Sequence, residues 1–400
     1  MKVLFVGRSP LQSTGLGKTL LNVGRQLSAR HQIVYAAARD ANLHWAQGAE
    51  ELLWAQFHPW TEPFAGQDPA ASAESLLPAI QNVRPDVVLM LGDVWHFTAL
   101  PTLRGALKGP QPRFVLWLTV DSRPFPMPYA SIVDSADDVL TTTGWGARVL
   151  RGEIDPIEGV EPLRRPRWRA DAIELGVDSA LYCRQERPEV NPFGKGLVIG
   201  WCGLNQARKF PVHALFILRK LIEEHHATLV VKSSPDGQFD LGDWCDNLGL
   251  SWTRRGPADC PGRDVYLAEQ PTPEAVMPAF YRNLDVLLMT CGSGAPDLVA
   301  LEARACGVVT VAVNTSCYQG YTDLQVPPRG GGPGVPGGWL EEPDIPLTAK
   351  ALGLFAKQKV DAGEVQAAGL APVRDWSEVA DEIQKRLLTP QPGWMRRATL

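Results

Sequence analysis

Two tandem trains of apolar, β-branched segments, each followed by a stretch of helical periodicity, constrain this chain more than any other feature. In the first half the apolar runs are residues 2–6, 32–36, 86–91, 113–120 and 138–141. Between the first two, residues 16–29 place Leu16, Leu20, Val23 and Leu27 along one helical face. In the second half, runs at 196–202, 228–231, 265–267, 285–290 and 308–313 alternate with helical patterns at 211–225, 273–283 and 297–305. Strands that are apolar along their whole length are buried on both faces. The pattern therefore predicts an α/β chain of two doubly wound, Rossmann-like domains, each a parallel sheet covered by helices.

The alternation pauses at 153–169, which carries Pro156, Pro162 and Pro166 and the cluster Arg164, Arg165, Arg167, Trp168 and Arg169. A strand-like 172–175 and Gly176-Val177-Asp178 follow, and the polar stretch 184–195, with Pro188 and Pro192, reads as a linker. The expected organisation is a first domain over 1–183, a linker over 184–195 and a second domain over 196–372. A C-terminal helix within 373–390, packing back toward the first domain, and a frayed tail over 391–400 complete it. Residues 327–338 are rich in Gly and Pro, show no packing pattern and are expected to form a loop.

With 400 residues, two cores are easily built. No run of about 18 apolar residues occurs, so no integral membrane contact is expected. The apolar opening 1–7 is too short for a signal peptide and reads as a first buried strand. The seven cysteines all lie between Cys183 and Cys317 with no CxxC pair. That argues against a disulfide framework or a zinc site and for a reducing, cytoplasmic setting. The net charge of −5 shows that the surface as a whole is not built to attract a polyanion.

Ligands of doubly wound sheets gather beyond the carboxyl ends of the strands, and two such domains facing each other would leave a cleft for a large polar substrate. The loops there are the candidate sites. Gly15 and Gly17 sit in a turn between the first strand and its helix; with Gln12 five positions before Gly17 this is not a P-loop, but the helix N-terminus can take a phosphate or a hydroxyl. In the second half, the loop 203–209 ends in Arg208 and Lys209, two cations suited to a diphosphate. A second loop follows the strand 285–290: Gly292 and Gly294 allow close backbone approach, Pro296 and Asp297 suit a helix start, and Glu302 lies within that helix, where a carboxylate can accept both hydroxyls of a ribose. In the first half, Asp93, Trp95 and His96 follow one strand and Asp121 another; either Asp or His96 is placed to orient or deprotonate an acceptor hydroxyl. Trp45, Trp54, Trp60 and Trp95 are aromatics of the kind that stack on sugars or bases, and the Arg164–Arg169 cluster with Trp168 has the composition of a nucleic-acid groove.

The second half resembles the retaining glycosyltransferases of the group 1 (family 4) type, which have the two-domain GT-B fold. The family pattern Glu-Gly-x-Pro-x-x-x-x-Glu-Ala-x-Ala-Cys-Gly is matched by Gly294, Pro296, Glu302, Ala303, Ala305, Cys306 and Gly307. The loop 203–209 is similar to the family's phosphate loop in its Asn-Gln-x-Arg-Lys form, beginning at Asn205, and 281–290 is similar to its Tyr-x-x-x-Asp lead-in. In the first half, Gly176-Val177-Asp178, 117–124 and 136–143 are also similar. One position departs: the family's first Glu, which contacts the donor sugar, is here Ser293, or Gly294 counting back eight from Glu302. Ser293 offers a weaker hydrogen bond.

The resemblance implies a nucleotide-diphospho-sugar donor, of the UDP-glucose or GDP-mannose kind, on the second domain. Asn205, Arg208 and Lys209 would lie on its diphosphate, Glu302 on its ribose, Ser293 and Gly294 near its sugar, and the Leu298 and Val299 amides on a phosphate; Gly15 and Gly17, read from their own turn, are further candidate donor contacts. It implies a metal-independent hexosyl transfer with no cofactor beyond the donor. The acceptor would be a glycan, a small molecule or a lipid-linked sugar, with Trp95 beside it. The Arg164, Arg165, Arg167 and Trp168 cluster motivates an alternative, duplex DNA carrying hydroxymethylated pyrimidines. A second alternative is an inactive module that only binds a nucleotide-sugar.

Overall fold

A computed structural model of the chain describes residues 1–11, 14–38, 55–60, 69–121, 123–154, 168–233, 237–269, 272–293, 297–315, 318, 320–333, 339–362, 365 and 372–388. They form two compact units, Met1–Gly176 with Arg374–Leu400, and Val177–Val373. The division falls at Gly176/Val177, so residues 177–183 pack with the second unit rather than the first. The cause is Tyr182, which is buried, reaches Glu274 with its hydroxyl at 3.4 Å and stands edge-on to Tyr281 with ring centroids 6.2 Å apart.

The first unit holds strands β1 (Lys2–Gly7), β2 (Gln32–Ala38), β3 (Ala55–Trp60), β4 (Val87–Gly92), β5 (Arg113–Leu118), β6 (Asp138–Thr141) and β7 (Asp171–Ala172) in the order β3-β2-β1-β4-β5-β6-β7. Every pairing is parallel. Val3, Leu4, Phe5 and Val6 are fully buried, as a strand covered on both faces must be. The helix Gly15–Ser28 packs so closely on the sheet that a Cβ on Gly24 would meet the Tyr35 hydroxyl at 1.9 Å. The last helix, Trp376–Leu388, lies in this unit: Arg30 pairs with Asp381 at 2.9 Å and Arg113 donates to the Leu387 carbonyl at 2.8 Å.

The second unit holds β8 (Leu197–Cys202), β9 (Ala227–Lys232), β10 (Trp252–Thr253), β11 (Val265–Ala268), β12 (Val286–Met289), β13 (Val309–Val313) and β14 (Leu324–Val326) in the order β10-β11-β9-β8-β12-β13-β14, again wholly parallel. The run expected as a loop, 327–338, is different in part. Pro328–Pro333 is strand β15, paired antiparallel with β16 (Trp339–Pro343). A backbone ladder needs no apolar side chains, so the Gly330–Gly332 stretch pairs without leaving a hydrophobic pattern.

The strand order reverses between β1 and β4 in the first sheet and between β8 and β12 in the second. Crevices open at such reversals, because the connections on either side run away in opposite directions.

Nor is 184–195 a free linker. Arg187 donates to the fully buried Asp285 at 2.6 Å and to the Leu284 carbonyl at 2.8 Å. Asp285 also accepts the Val198 amide at 2.8 Å and pairs with Lys359. This carboxylate ties the starts of β8 and β12 together. Asp285→Asn leaves two cations facing a neutral amide and is expected to cost about 3 kcal/mol, read as a lower denaturation midpoint by circular dichroism; an unchanged midpoint would remove this role.

Candidate functional site

At the second reversal, the loops leaving β8 and β12 are interlocked. The loop after β8 makes a short 3-10 turn, Ala207–Lys209, and then passes through Phe210 in the left-handed region (φ 49°, ψ 49°) before Pro211 opens a helix. A non-glycine residue there is strained and must be held by its surroundings. Thr290, just past β12, holds it: its hydroxyl donates toward the carbonyls of Lys209 (2.7 Å) and Phe210 (3.0 Å) and accepts the Trp201 indole N–H (2.9 Å). The Gly292 amide donates to the Arg208 carbonyl at 3.0 Å. Only glycine fits at 292, because a Cβ would stand 2.1 Å from the Glu341 carbonyl oxygen.

This framework brings both expected cations to the site. Arg208 is exposed and donates to the Ser293 carbonyl at 3.1 Å. Lys209 is buried, and its ammonium lies 2.5 Å from both oxygens of Asp297. Tyr318 donates to the same carboxylate at 2.7 Å. Burial, the largest single influence, pulls the Lys209 pKa down, but the charge and hydrogen bond of Asp297 together with Cys291 outweigh it and the net shift is upward. Burial pushes Asp297 up, but Lys209, with further help from Tyr318 and Arg208, brings it below the usual carboxylate range. The pair is thus charged on both sides.

Asp297 is also the N-cap of the helix Leu298–Ala305, yet its side chain caps nothing. Acidic N-caps ordinarily bond the first-turn amides; here Lys209 and Tyr318 draw the carboxylate away. Among the described residues, the Leu298 and Val299 amides therefore carry no side-chain cap at the positive end of the helix.

Glu302, one turn further on, is buried and accepts the Tyr281 hydroxyl at 2.7 Å. Burial, then the Glu302 charge, drives the Tyr281 and Tyr182 hydroxyls well above their ordinary range, so both remain donors. Neither tyrosine was read from the sequence as a partner of Glu302; the nearest signal was Tyr281 in the Tyr-x-x-x-Asp match.

The remaining donor-side residues differ from expectation in detail. Asn205 is buried and its amide nitrogen donates to the Phe239 carbonyl at 2.7 Å, so it clamps a neighbouring loop. Ser293 is buried and contributes its carbonyl, to Arg208 and to the Cys291 thiol. Gly294 lies outside the described residues. Gly15 and Gly17 belong to the first unit, where the Thr14 hydroxyl already accepts the Gly17 amide at 3.1 Å.

At the first unit's reversal, Asp93 follows β4 and caps the 3-10 turn Val94–Phe97. Thr119, beyond β5, donates its hydroxyl to the Asp93 carboxylate, and the Asp93 amide donates to His96 Nδ1 at 3.3 Å. His96 is buried, and a Cβ on Gly92 would lie 2.9 Å from its Nδ1. Asp93 and His96 thus form one cluster, whereas Asp121 is half-buried beyond β5, the strand next outward. Trp95 packs on the core, edge-on to His96, rather than standing as a free platform. Trp168 is likewise committed, its indole N–H to Asp134 at 2.9 Å and its ring edge-on to Phe125. Arg164, Arg165 and Arg167 lie outside the described residues.

Neither a family model nor a curated protein matches the sequence. Among solved structures the chain is similar to sucrose-phosphate synthase from Thermosynechococcus elongatus, with a TM-score of 0.68, 12% identity, and 96% of this chain and 98% of that one covered. The chain has the GT-B fold. The N-terminal domain of Candida albicans trehalose-6-phosphate phosphatase superposes at a TM-score of 0.63 and 13% identity, covering 97% of this chain and 93% of that one. Anabaena HepE, solved with UDP and glucose, superposes at 0.60 and 14%, covering 97% and 99%. These identities carry architecture, and the chemistry must come from the residues above. Among the described residues no helix is long and apolar enough to cross a membrane.

The Lys209–Asp297 pair has a defined pH signature. The depressed Asp297 contributes stability above its unfolded pKa of about 3.9 and loses it as pH falls through the lower folded value; the raised Lys209 contributes below about 10.4 and loses it as pH climbs through its folded value. The difference in melting temperature between wild type and Asp297→Asn is therefore expected to be flat from about pH 6 to 9 and to shrink below about pH 4. A difference that vanishes at neutral pH would contradict an ionised pair.

Proposed function

We propose that this chain is a retaining GT-B glycosyltransferase that moves a hexose from a nucleotide-diphospho-sugar to an acceptor hydroxyl. The carrying observation is that Arg208, Lys209 and the uncapped N-terminus of the Leu298–Ala305 helix converge at the β8/β12 reversal. In glycosyl transfer the bond from the anomeric carbon to the β-phosphate oxygen breaks, and its electron pair stays on the phosphate. Cations and fixed amides at that phosphate stabilise the developing charge and position the donor. Glu302, held by Tyr281, takes the ribose hydroxyls through its remaining acceptor capacity. We assign Asp93 and His96, clustered at the first unit's own strand reversal, to the acceptor hydroxyl, which gives up its proton to solvent as its oxygen bonds the anomeric carbon. With the charge met by side chains and amides, the reaction needs no metal or cofactor beyond the donor.

The acceptor we infer is a glycan, a small molecule or a lipid-linked sugar. The DNA reading loses its aromatic element, because Trp168 is spent on Asp134 and Phe125.

A thermal-shift panel with UDP, GDP and ADP tests the donor class. The matching diphosphate is expected to stabilise by about 2.7 kcal/mol at a hundred times its Kd, and no shift with any member would sink the proposal. Arg208→Ala is expected to lower the rate of nucleotide release by about 10²- to 10³-fold. Transfer should persist in excess EDTA; activity lost to EDTA and restored by Mg²⁺ would overturn metal independence.

A further inference from the structure

Lys209 is the residue on which the diphosphate reading leans most, and its charge is already matched. Both oxygens of Asp297 lie 2.5 Å from its ammonium, Tyr318 fixes that carboxylate at 2.7 Å, and the two side chains are only 9% and 25% exposed. The groups around the pair are Arg208, which donates to Ser293, and the Cys291 thiol. An ammonium has three donors. Two point at Asp297, which leaves one for a phosphate oxygen, and that oxygen arrives beside a fixed negative charge.

We propose that Asp297 is a counter-charge that makes this site discriminate between the intact nucleotide-sugar and the free nucleoside diphosphate left after transfer. The inference rests on the diphosphate reading of the β8/β12 crevice. In the donor the β-phosphate is a diester with one negative charge. When the glycosidic bond breaks and the oxygen keeps the electron pair, the β-phosphate becomes a terminal monoester whose second ionisation lies near pH 6, so it gains up to one further charge at neutral pH. Arg208 and the helix amides, which Asp297 does not neutralise, meet the charge as it develops, whereas repulsion by Asp297 acts more strongly on the fully charged product than on the donor and favours product departure. Lys209 retains its place throughout because Asp297 and Tyr318 hold it there.

The test is titration calorimetry on the full chain at low salt, with the nucleoside diphosphate that wins the thermal-shift panel and with its hexose conjugate. Asp297→Asn keeps the side-chain shape and removes the charge. It is expected to tighten the free diphosphate about tenfold or more and the nucleotide-sugar clearly less, with the gain shrinking as salt rises. Wild type that binds the diphosphate while Asp297→Asn binds it no tighter, or both ligands gain equally, would overturn this inference and leave the proposed function standing. Failure of wild type and all variants to bind any diphosphate would overturn both. Should Asp297→Asn not fold, wild type is titrated with both ligands at pH 5 and pH 7.5: the diphosphate, protonated to a single charge on its terminal phosphate at pH 5, is expected to gain affinity there relative to the nucleotide-sugar, because Asp297 remains ionised, and an unchanged ratio of the two affinities would overturn this inference.

Discussion

The site depends on one constraint, that two strands distant in sequence lie side by side where the order of a parallel sheet reverses. β8 and β12 are neighbours only because the connections on either side of them run to opposite halves of the sheet. Their carboxyl ends then point the same way, and the loops that leave them meet. Asp285 anchors one end of this strand pair, with the Val198 amide, Arg187 and Lys359 all bound to one buried carboxylate. Thr290 and Gly292 lock the other end, where the strained Phe210 backbone is held. A stiff frame of this kind lets charged groups be set before any ligand arrives, which is the condition for electrostatic stabilisation of a leaving group.

Within that frame the charges are balanced rather than simply positive. Arg208 is exposed and bonded to the Ser293 carbonyl, while Lys209 is buried against Asp297. Burying a lone ammonium is costly, and a partner acid is the ordinary remedy. Here the remedy also diverts the acid from capping its own helix, so the uncapped helix N-terminus and the paired lysine arise from the same side chain. Glu302 shows the same economy, since a buried carboxylate is tolerable when hydroxyls such as that of Tyr281 stay protonated to meet it.

Much of the fold was legible because buried parallel strands write themselves as continuous apolar runs. β1, β4, β5, β8, β12 and β13 are of this kind. What escaped had weaker signals. β3 contains Pro59, β10 has two residues, and the β15–β16 ladder runs through Gly330–Gly332. The long helix Ile345–Ala362 also carried too little contrast between its faces to stand out. The position of Arg208 and Lys209, at the end of a strand–loop unit, was legible in the sequence. Trp95 and Trp168 misled because composition shows an aromatic but not what its ring already touches.

The sequence by itself determined the two α/β units and the loops at the carboxyl ends of their strands, because strand burial and helix starts are set by residues within one or two turns of one another. Only the tertiary structure decided what those loops do to each other. Lys209 and Asp297 are 88 positions apart, and no local pattern states that a lysine of one loop will be neutralised by the helix cap of another. Tyr281 and Glu302, 21 positions apart, meet for the same reason. Such pairings exist only once the sheet has brought non-consecutive strands together, and it is these pairings, rather than the residue types alone, that set the charge a ligand meets.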